Sequence, residues 1–235
     1  MLGIALGGCS LPRFGQPEPA TKEGGHALGL WQGFFVAACA VGALVLGLIL
    51  FAAIRFRRRS DDIPSQKPYN IGWEIAYTVT PIVIVAVLFA FSVTTQDKLD
   101  PTAERPDLVV NVTAFQWGWQ FEYPDRGITI TGSAEADEKP TLVLPAGRTA
   151  RLVMRTTDVV HSFWVPSFLN KRDMIAGVDN SMDVTPTQVG TFDGRCAEYC
   201  ALDHWRMTFT LRVVPVDELD RAIADAAKAT SGGPP

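Results

Sequence analysis

GFFVAACAVGALVLGLILFAAI, residues 33–54, is a run of 22 residues without a charged side chain. A helix needs about 20 apolar residues to cross the roughly 30 Å hydrocarbon core of a membrane, so this run is long enough to span it. A second run, IAYTVTPIVIVAVLFAFSV at residues 75–93, has 19 uncharged residues. Together the runs predict a two-helix transmembrane hairpin over residues 30–95, with helices at about 31–54 and 73–94.

The segment between the two runs is basic, with Arg55, Arg57–Arg59 and Lys67 against Asp61 and Asp62. Short loops rich in Lys and Arg face the cytoplasm. We therefore expect the chain in a bacterial cell membrane, in contact with lipid. Both termini and the region after the second helix are expected on the outer face.

Residues 1–29 precede the hairpin. Leu6-Gly7-Gly8-Cys9 resembles a bacterial lipoprotein processing site, in which Cys9 would become a lipidated N-terminus. The stretch before it is shorter than the roughly 7–15 apolar residues of a secretory signal, so a lipid anchor at Cys9 and a chance run of small residues both stay open. Residues 10–26, rich in Pro, Gly and Glu, predict an extended leader.

After residue 96 the pattern changes to short strand-like stretches separated by Pro, Gly and Asp. Many short strands at this spacing predict an all-β Greek-key sandwich or barrel over residues 96–215. A short amphipathic helix at 217–228 and a disordered end from Ser231 are expected within residues 216–235. The predicted strands are Leu108–Ala114, Trp117–Tyr123, Thr141–Leu144, Arg148–Thr156, Val159–Val165, Val184–Thr191 and Arg206–Val214.

The predicted outer domain is acidic. Residues 97–235 carry 20 acidic and 14 basic side chains, whereas the first 96 residues carry 5 and 7. An acidic surface steers cationic partners over long range and argues against nucleic acid as a partner.

The densest chemical signal is CAEYCALDHWRM, residues 196–207, which brings two thiols, an imidazole and a thioether into twelve residues. Soft sulfur together with imidazole favours copper. Met207 alternates with polar residues in the last predicted strand, so it is expected to point inward. His161 lies on another predicted strand.

Cys196 and Cys200 are also compatible with three simpler sites. A disulfide suits an exported domain but leaves His204 and Met207 unexplained. A structural zinc site would gain little from a thioether. A mononuclear blue-copper site needs only one thiolate. A second thiolate four residues from the first lets both sulfurs bridge two copper ions, each completed by one imidazole and one weak donor.

These residues closely resemble the dinuclear copper motif of cytochrome c oxidase subunit II, Cys-x-Glu-x-Cys-x-x-x-His-x-x-Met with an upstream His. The resemblance covers about residues 30–215, includes HSFWVPS at 161–167, and implies a cupredoxin-like fold for the β-domain. It implies that His161 and His204 each bind one copper, that Cys196 and Cys200 bridge both, and that Met207 is an axial ligand.

Glu198 also takes its role from the resemblance, which implies that its backbone carbonyl is the other axial copper ligand. Its side chain would help to hold Mg or Mn against subunit I. Two positions depart from the family pattern: Ala201 stands where Gly is usual, and Ala176 where Pro is usual. Neither departure removes a ligand.

Trp117 lies in the aromatic stretch FQWGWQF, residues 115–121. The resemblance implies that Trp117 receives the electron from cytochrome c, although Gly118 replaces a usual aromatic residue and Phe115 a usual His. Acidic residues such as Asp125 and Asp158 are expected to ring this patch.

Glu74 stands seven residues before Pro81 at the cytoplasmic end of the second helix. The resemblance implies that it helps to admit protons to an uptake channel of subunit I, and ionisable residues at membrane depth are functional candidates.

The resemblance as a whole implies the electron-accepting subunit of a proton-translocating haem-copper oxidase, which reduces oxygen to water. The chain has only three His, so the haems and the oxygen chemistry belong to subunit I. Subunit I, other oxidase subunits and a soluble or tethered cytochrome c are the expected partners. The copper subunit of a nitric-oxide-reducing complex and a membrane-tethered copper chaperone stay open as alternatives.

Overall fold

The computed structural model describes residues 12–59, 61, 63, 65–100 and 103–231. Cys9, and with it the predicted lipid anchor, lies outside the described residues, as do residues 232–235 of the predicted disordered end. The chain divides into two units. One holds Gly29–Gln96, and the other holds Gly15–Leu28 together with Asp97 and the residues after it.

Two long apolar helices lie in the N-terminal part of the chain. Helix α1 spans Lys22–Arg55 and helix α2 spans Ile71–Leu99, and apolar residues make up most of both. By length and composition both can cross a membrane. The predicted extended leader is wrong for residues 22–26, which are helical because Thr21 caps α1. Its Oγ1 accepts a hydrogen bond from the Gly24 N–H at 2.9 Å.

The described part of the C-terminal region contains ten strands in two sheets of five. One sheet has the order β3-β2-β1-β5-β8 and the other the order β4-β10-β9-β6-β7. Pairs β1–β5 and β4–β10 are parallel, and the other pairs are antiparallel. The strands are β1 Leu108–Phe115, β2 Gly118–Tyr123, β3 Ile128–Ser133, β4 Thr141–Pro145, β5 Ala150–Thr156, β6 His161–Val165, β7 Asn170–Met174, β8 Asn180–Val184, β9 Gly190–Cys196 and β10 Thr208–Val214.

The core lies between the sheets, where alternate residues of strands such as β1, β5 and β10 are buried. Phe209 is central: its ring centroid lies 4.9 Å from that of Phe163, 5.1 Å from Trp119 and 5.4 Å from Phe121. Met207 is also buried, as the alternation predicted. The prediction of two apolar helices followed by an all-β domain is confirmed.

Several predicted boundaries are wrong. The predicted strand Val184–Thr191 is wrong, because it shares only Val184 with β8 and only Gly190 and Thr191 with β9, so most of both strands was missed. Strands β3 and β7 were missed, since ITITGS and NKRDM carry few large apolar residues. The last helix, α3, spans Leu219–Ser231, so it begins later than residue 217 and includes Ser231.

Helix α3 covers one edge strand of each sheet, β3 in the first and β4 in the second. Helix α3 packs on these two strands and buries Leu219, Ala222 and Ile223. The buried Tyr123 hydroxyl donates to the Val143 carbonyl at 3.0 Å and accepts from the Val143 N–H at 2.7 Å. Because Tyr123 ends β2 and Val143 lies in β4, this residue joins one sheet to the edge strand of the other.

Candidate metal centre

The strand pairing brings the predicted ligands to one end of the sandwich. Strand β6 begins at His161 and β9 ends at Cys196, and the two strands are antiparallel with Phe163 opposite Cys196. The chain then loops through residues 197–207 and returns as β10. Since Met207 immediately precedes β10, the loop delivers it to the same end of the core.

The donor atoms form a compact group around two sulfurs. The Sγ atoms of Cys196 and Cys200 are 3.9 Å apart, and both cysteines are free. This separation is well beyond the roughly 2.05 Å of a disulfide bond. On one side, Cys196 Sγ lies 3.8 Å from His161 Nδ1 and 3.2 Å from the Glu198 carbonyl oxygen. On the other, Cys200 Sγ lies 3.5 Å from His204 Nδ1 and 3.7 Å from Met207 Sδ.

This arrangement fits a copper pair by the chemistry of its donors. Each sulfur has one imidazole nitrogen and one weak donor beside it, so the set divides into two similar halves. His161, Cys196, Cys200 and Met207 are buried, which keeps the sulfurs away from water. Soft thiolate and thioether donors with imidazole match copper better than zinc.

The two thiols differ in acidity. Burial acts to raise the pKa of Cys196, but hydrogen bonds with His161 and with the neighbouring backbone outweigh burial and lower it. Burial and the negative charge on Cys196 raise the pKa of Cys200. One sulfur therefore ionises first, and the second keeps its proton until a positive charge compensates.

Asp158 holds the ring of His161, a role that the sequence did not reveal. Its Oδ1 accepts from His161 Nε2 at 2.8 Å and from the Val159 N–H at 2.7 Å, and its Oδ2 accepts from the Gln116 N–H at 2.7 Å. A carboxylate on Nε2 leaves Nδ1 unprotonated and aimed at the metal position. The signal in the sequence was an Asp three residues before a candidate ligand.

Trp117 lies directly against the candidate centre. Its Nε1–H donates to the Cys200 carbonyl at 2.8 Å, and the Gln116 side-chain amide donates to the same oxygen at 3.0 Å. The ring is half-buried and packs against the core. The expectation that Asp125 lies beside Trp117 is wrong, because Asp125 follows the far end of β2. Asp158 does lie close to Trp117, since it accepts a hydrogen bond from the neighbouring Gln116 N–H.

Gly118 departs from the family pattern at a crowded position. An added Cβ would lie 2.5 Å from the Phe115 ring and 2.5 Å from the Gly132 carbonyl oxygen, so a side chain does not fit there. Ala201 is a departure at a position with strained backbone. It has φ +83°, in the left-handed region that favours the usual glycine.

The outer surface of the ligand loop is apolar. Tyr199, Leu202 and Trp205 are each more than three-quarters exposed, and the Glu198 side chain is exposed beside them. His204, whose ring lies 5.9 Å from that of Tyr199, is half-buried.

Glu74 lies in the first turn of α2, away from the metal residues in the chain. Its Oε1 accepts from the Asn70 N–H at 2.9 Å, and Asn70 Oδ1 accepts weakly from the Trp73 N–H at 3.4 Å. The two side chains together cap the helix.

Known proteins resemble this chain in sequence over most of its length. The family model described as cytochrome c oxidase subunit II, periplasmic domain, matches residues 108–214. The probable cytochrome c oxidase subunit 2 of Streptomyces avermitilis is 40% identical over 96% of this chain and 84% of its own length. This chain belongs to the cytochrome c oxidase subunit II family. The cytochrome c oxidase subunit 2 of Mycobacterium tuberculosis is 32% identical over 91% of this chain and 76% of the relative.

Membership of the subunit II family confirms the resemblance found in the sequence, and it does not favour the nitric-oxide-reducing alternative. Among solved structures, the periplasmic domain of subunit II of cytochrome oxidase from Bradyrhizobium japonicum is 29% identical. It covers 55% of this chain and 99% of that domain, with a TM-score of 0.49.

Proposed function

We propose that this chain accepts electrons from cytochrome c at a dinuclear copper centre and passes them to haem in subunit I of a cytochrome c oxidase. Subunit I then reduces oxygen to water and translocates protons. The observation that carries the proposal is the pair of sulfurs 3.9 Å apart, each with its own imidazole nitrogen and weak donor.

In this proposal Cys196 and Cys200 would supply thiolates shared by two copper ions, His161 and His204 would supply one imidazole to each, and Met207 and the Glu198 carbonyl would supply the weak donors. A bound copper pair supplies one-electron redox chemistry without bond making. The protein's contribution is orientation: donors fixed at strand ends, and a dry shell.

Trp117 is the proposed point at which the electron arrives. Its ring reaches from the half-exposed surface to the Cys200 carbonyl through one hydrogen bond, so it offers a short path between a docked donor and a ligand residue. The acidic balance of residues 97–235 supports a cationic donor such as cytochrome c, either soluble or tethered.

The exposed loop residues Tyr199, Leu202 and Trp205 support docking to subunit I. Large apolar side chains grouped beside a functional residue mark surfaces that another protein covers. The half-buried His204 is then the exit ligand. The exposed Glu198 side chain is available to hold Mg or Mn at that interface, together with residues of subunit I.

The proposed membrane topology rests on which residues belong to the same compact unit as the β-domain. Gly15–Leu28 belongs with the β-domain, which supports placing the start of α1 and the copper domain on one side. Helices α1 and α2 then cross in opposite directions, and the basic loop Arg55–Arg59 faces the cytoplasm. In this arrangement residues 1–29 form the leader, 30–95 the hairpin, 96–215 the copper domain and 216–235 the C-terminal end.

Glu74 then lies at the cytoplasmic end of α2, where it is proposed to admit protons to subunit I. Its bond to the Asn70 N–H supports a fixed carboxylate at this end, and a helix cap alone would also explain it.

The test measures copper content and electron paramagnetic resonance on the purified full-length chain. We expect two copper ions per chain and the spectrum of one unpaired electron shared by both nuclei. Cys200→Ser should lose this spectrum, whereas Cys39→Ser, at the exposed free cysteine of α1, should keep it. A single-copper spectrum in the wild type, or zinc in place of copper, would refute the proposal.

With the partner subunits, the purified complex should oxidise reduced cytochrome c with uptake of oxygen. A copper chaperone would instead release its copper to a chelator and accept no electrons from cytochrome c.

A further inference from the structure

The residues around the start of α1 lie against the β-domain, at the end opposite the candidate metal centre. We define Glu18–Gly24 as the N-terminal strap. Its groove consists of the 3₁₀ turn Pro166–Phe168, which follows β6, and residues 185–188, which follow β8. His161 starts β6 and the groove follows its end, so the length of β6 separates the strap from the metal ligands.

The strap is bound through its backbone. The Ala20 N–H donates to the Ser167 carbonyl at 2.7 Å, and the Ala20 carbonyl accepts from the Thr187 N–H at 2.8 Å. The Lys22 N–H donates to the Thr185 carbonyl at 3.0 Å. An antiparallel bridge joins Thr21 to Pro186. Ala20 and Thr21 thus pair through their backbone with the segment that follows β8, as an extended peptide pairs with a strand edge.

Side chains make the fit specific. Ala20, Thr21 and Glu23 are almost fully buried. The buried Glu23 carboxylate accepts from the Thr185 N–H at 3.0 Å. A Cβ added at Gly24 would lie 2.6 Å from the Phe168 carbonyl oxygen, which is part of the backbone and cannot easily move aside. The groove therefore requires a small residue, then an acid three positions on, then glycine.

We propose that the strap is a peptide ligand which the β-domain binds in cis, and that the groove is a recognition site for a segment of this composition, extended at Ala20 and Thr21 and helical from Lys22. The copper domain is then completed by residues just before α1 and in its first turn. A domain cut free at residue 97 lacks this part of its fold. The inference goes beyond electron transfer and does not depend on it.

The test is amide hydrogen exchange on the full-length chain, wild type against Gly24→Ala, with Gly25→Ala as the matched control. Both substitutions raise helix propensity equally. Nothing lies within 4 Å of a Cβ added at Gly25. Gly24→Ala should raise exchange at the Thr185 and Thr187 amides about tenfold or more, while Gly25→Ala leaves it unchanged.

A second pair of variants tests the recognition of the acid. Glu23→Ala removes the acceptor and should raise exchange at Thr185, whereas Glu23→Gln keeps an oxygen there and should preserve most of the protection. Exchange at Val110, in the middle of β1, and the copper content should stay at wild-type values in all four variants. That result separates release of the strap from unfolding.

Rescue in trans tests whether the groove is a binding site. A synthetic peptide of residues 15–28 added to the Gly24→Ala chain should restore protection at Thr185 and Thr187, and the same peptide with Gly24→Ala should not. Unprotected Thr185 and Thr187 amides in the wild type, or equal effects of Gly24→Ala and Gly25→Ala, would overturn the proposal. So would failure of the wild-type peptide to rescue.

Discussion

Asp158→Asn should weaken copper binding although it removes no ligand. The carboxylate accepts hydrogen bonds from three N–H groups. One oxygen accepts from His161 Nε2 and from the Val159 N–H, and the other accepts from the Gln116 N–H. Asparagine has one acceptor oxygen and an NH₂ group. Whichever way the amide turns, at least one of these donors faces another donor.

The magnitude follows from which bond is lost. If the amide oxygen stays with Val159, the NH₂ group faces the Gln116 N–H, and that backbone group loses its acceptor. If the oxygen turns to Gln116, His161 loses the bond that fixes its tautomer. A hydrogen bond to a charged group contributes about 1.5–3 kcal/mol, so either outcome costs an amount of this order. Loss of a carboxylate behind a ligand histidine typically lowers metal affinity about 10–100-fold, which is the same range.

The assay is competition for copper between the full-length chain and a chelator of known affinity. Asp193→Asn is the matched control, because it removes the same charge from the same domain, where Asp193 pairs with Lys139 in solvent. The control should bind as the wild type does. If Asp158→Asn also competed as well as the wild type, with unchanged thermal unfolding of the copper-free chain, the assignment of Asp158 as a positioning residue would be wrong.

Two further outcomes are expected. Tyr123→Phe should lower the free energy of unfolding by about 2–4 kcal/mol in chemical denaturation, because both backbone groups of Val143 lose their partner, while the exposed Tyr199→Phe changes it by less than about 0.5 kcal/mol. Equal effects would contradict the link between the sheets. Copper loading should release protons, because burial keeps Cys200 protonated at neutral pH. The number of protons released per copper, followed with an indicator dye, should fall as the pH rises through the lowered pKa of Cys196, because that thiol is then already ionised. A proton release that does not depend on pH would contradict the difference in pKa between Cys196 and Cys200.

The parts of the fold that the sequence predicted are those with a strong local signal. Uncharged runs of 22 and 19 residues predict the two helices, and alternation predicts strands such as β5 and β10. Strands β3 and β7 lack that signal because small, polar or charged residues fill most of their positions, unlike the edge strand β4.

The candidate ligands were predictable for a different reason. Four of them lie within twelve residues, so their grouping is visible without any knowledge of the fold. Asp158 was not recognised as a partner of His161, because that role depends on the turn before β6 and on Gln116, which is far away in the chain. The strap was missed because its contacts with Ser167 and Thr185 join segments about 150 residues apart, and sequence spacing carries no trace of them.

The rigidity of the centre follows from where the ligands meet the core. His161 and Phe163 share one face of β6, Cys196 lies opposite Phe163, and Met207 precedes Phe209 by two residues. The Phe163 and Phe209 rings are stacked, so one aromatic contact links β6, which begins at His161, with β10, which directly follows Met207. A Cβ added at Gly194 would lie 2.1 Å from the Phe209 ring, so β9 must leave that space empty. The Met207 carbonyl accepts from the Cys196 N–H at 3.0 Å and from Trp119 Nε1 at 3.4 Å. Donor atoms held this firmly move little when the charge of a bound metal changes, and little movement is what an electron relay requires.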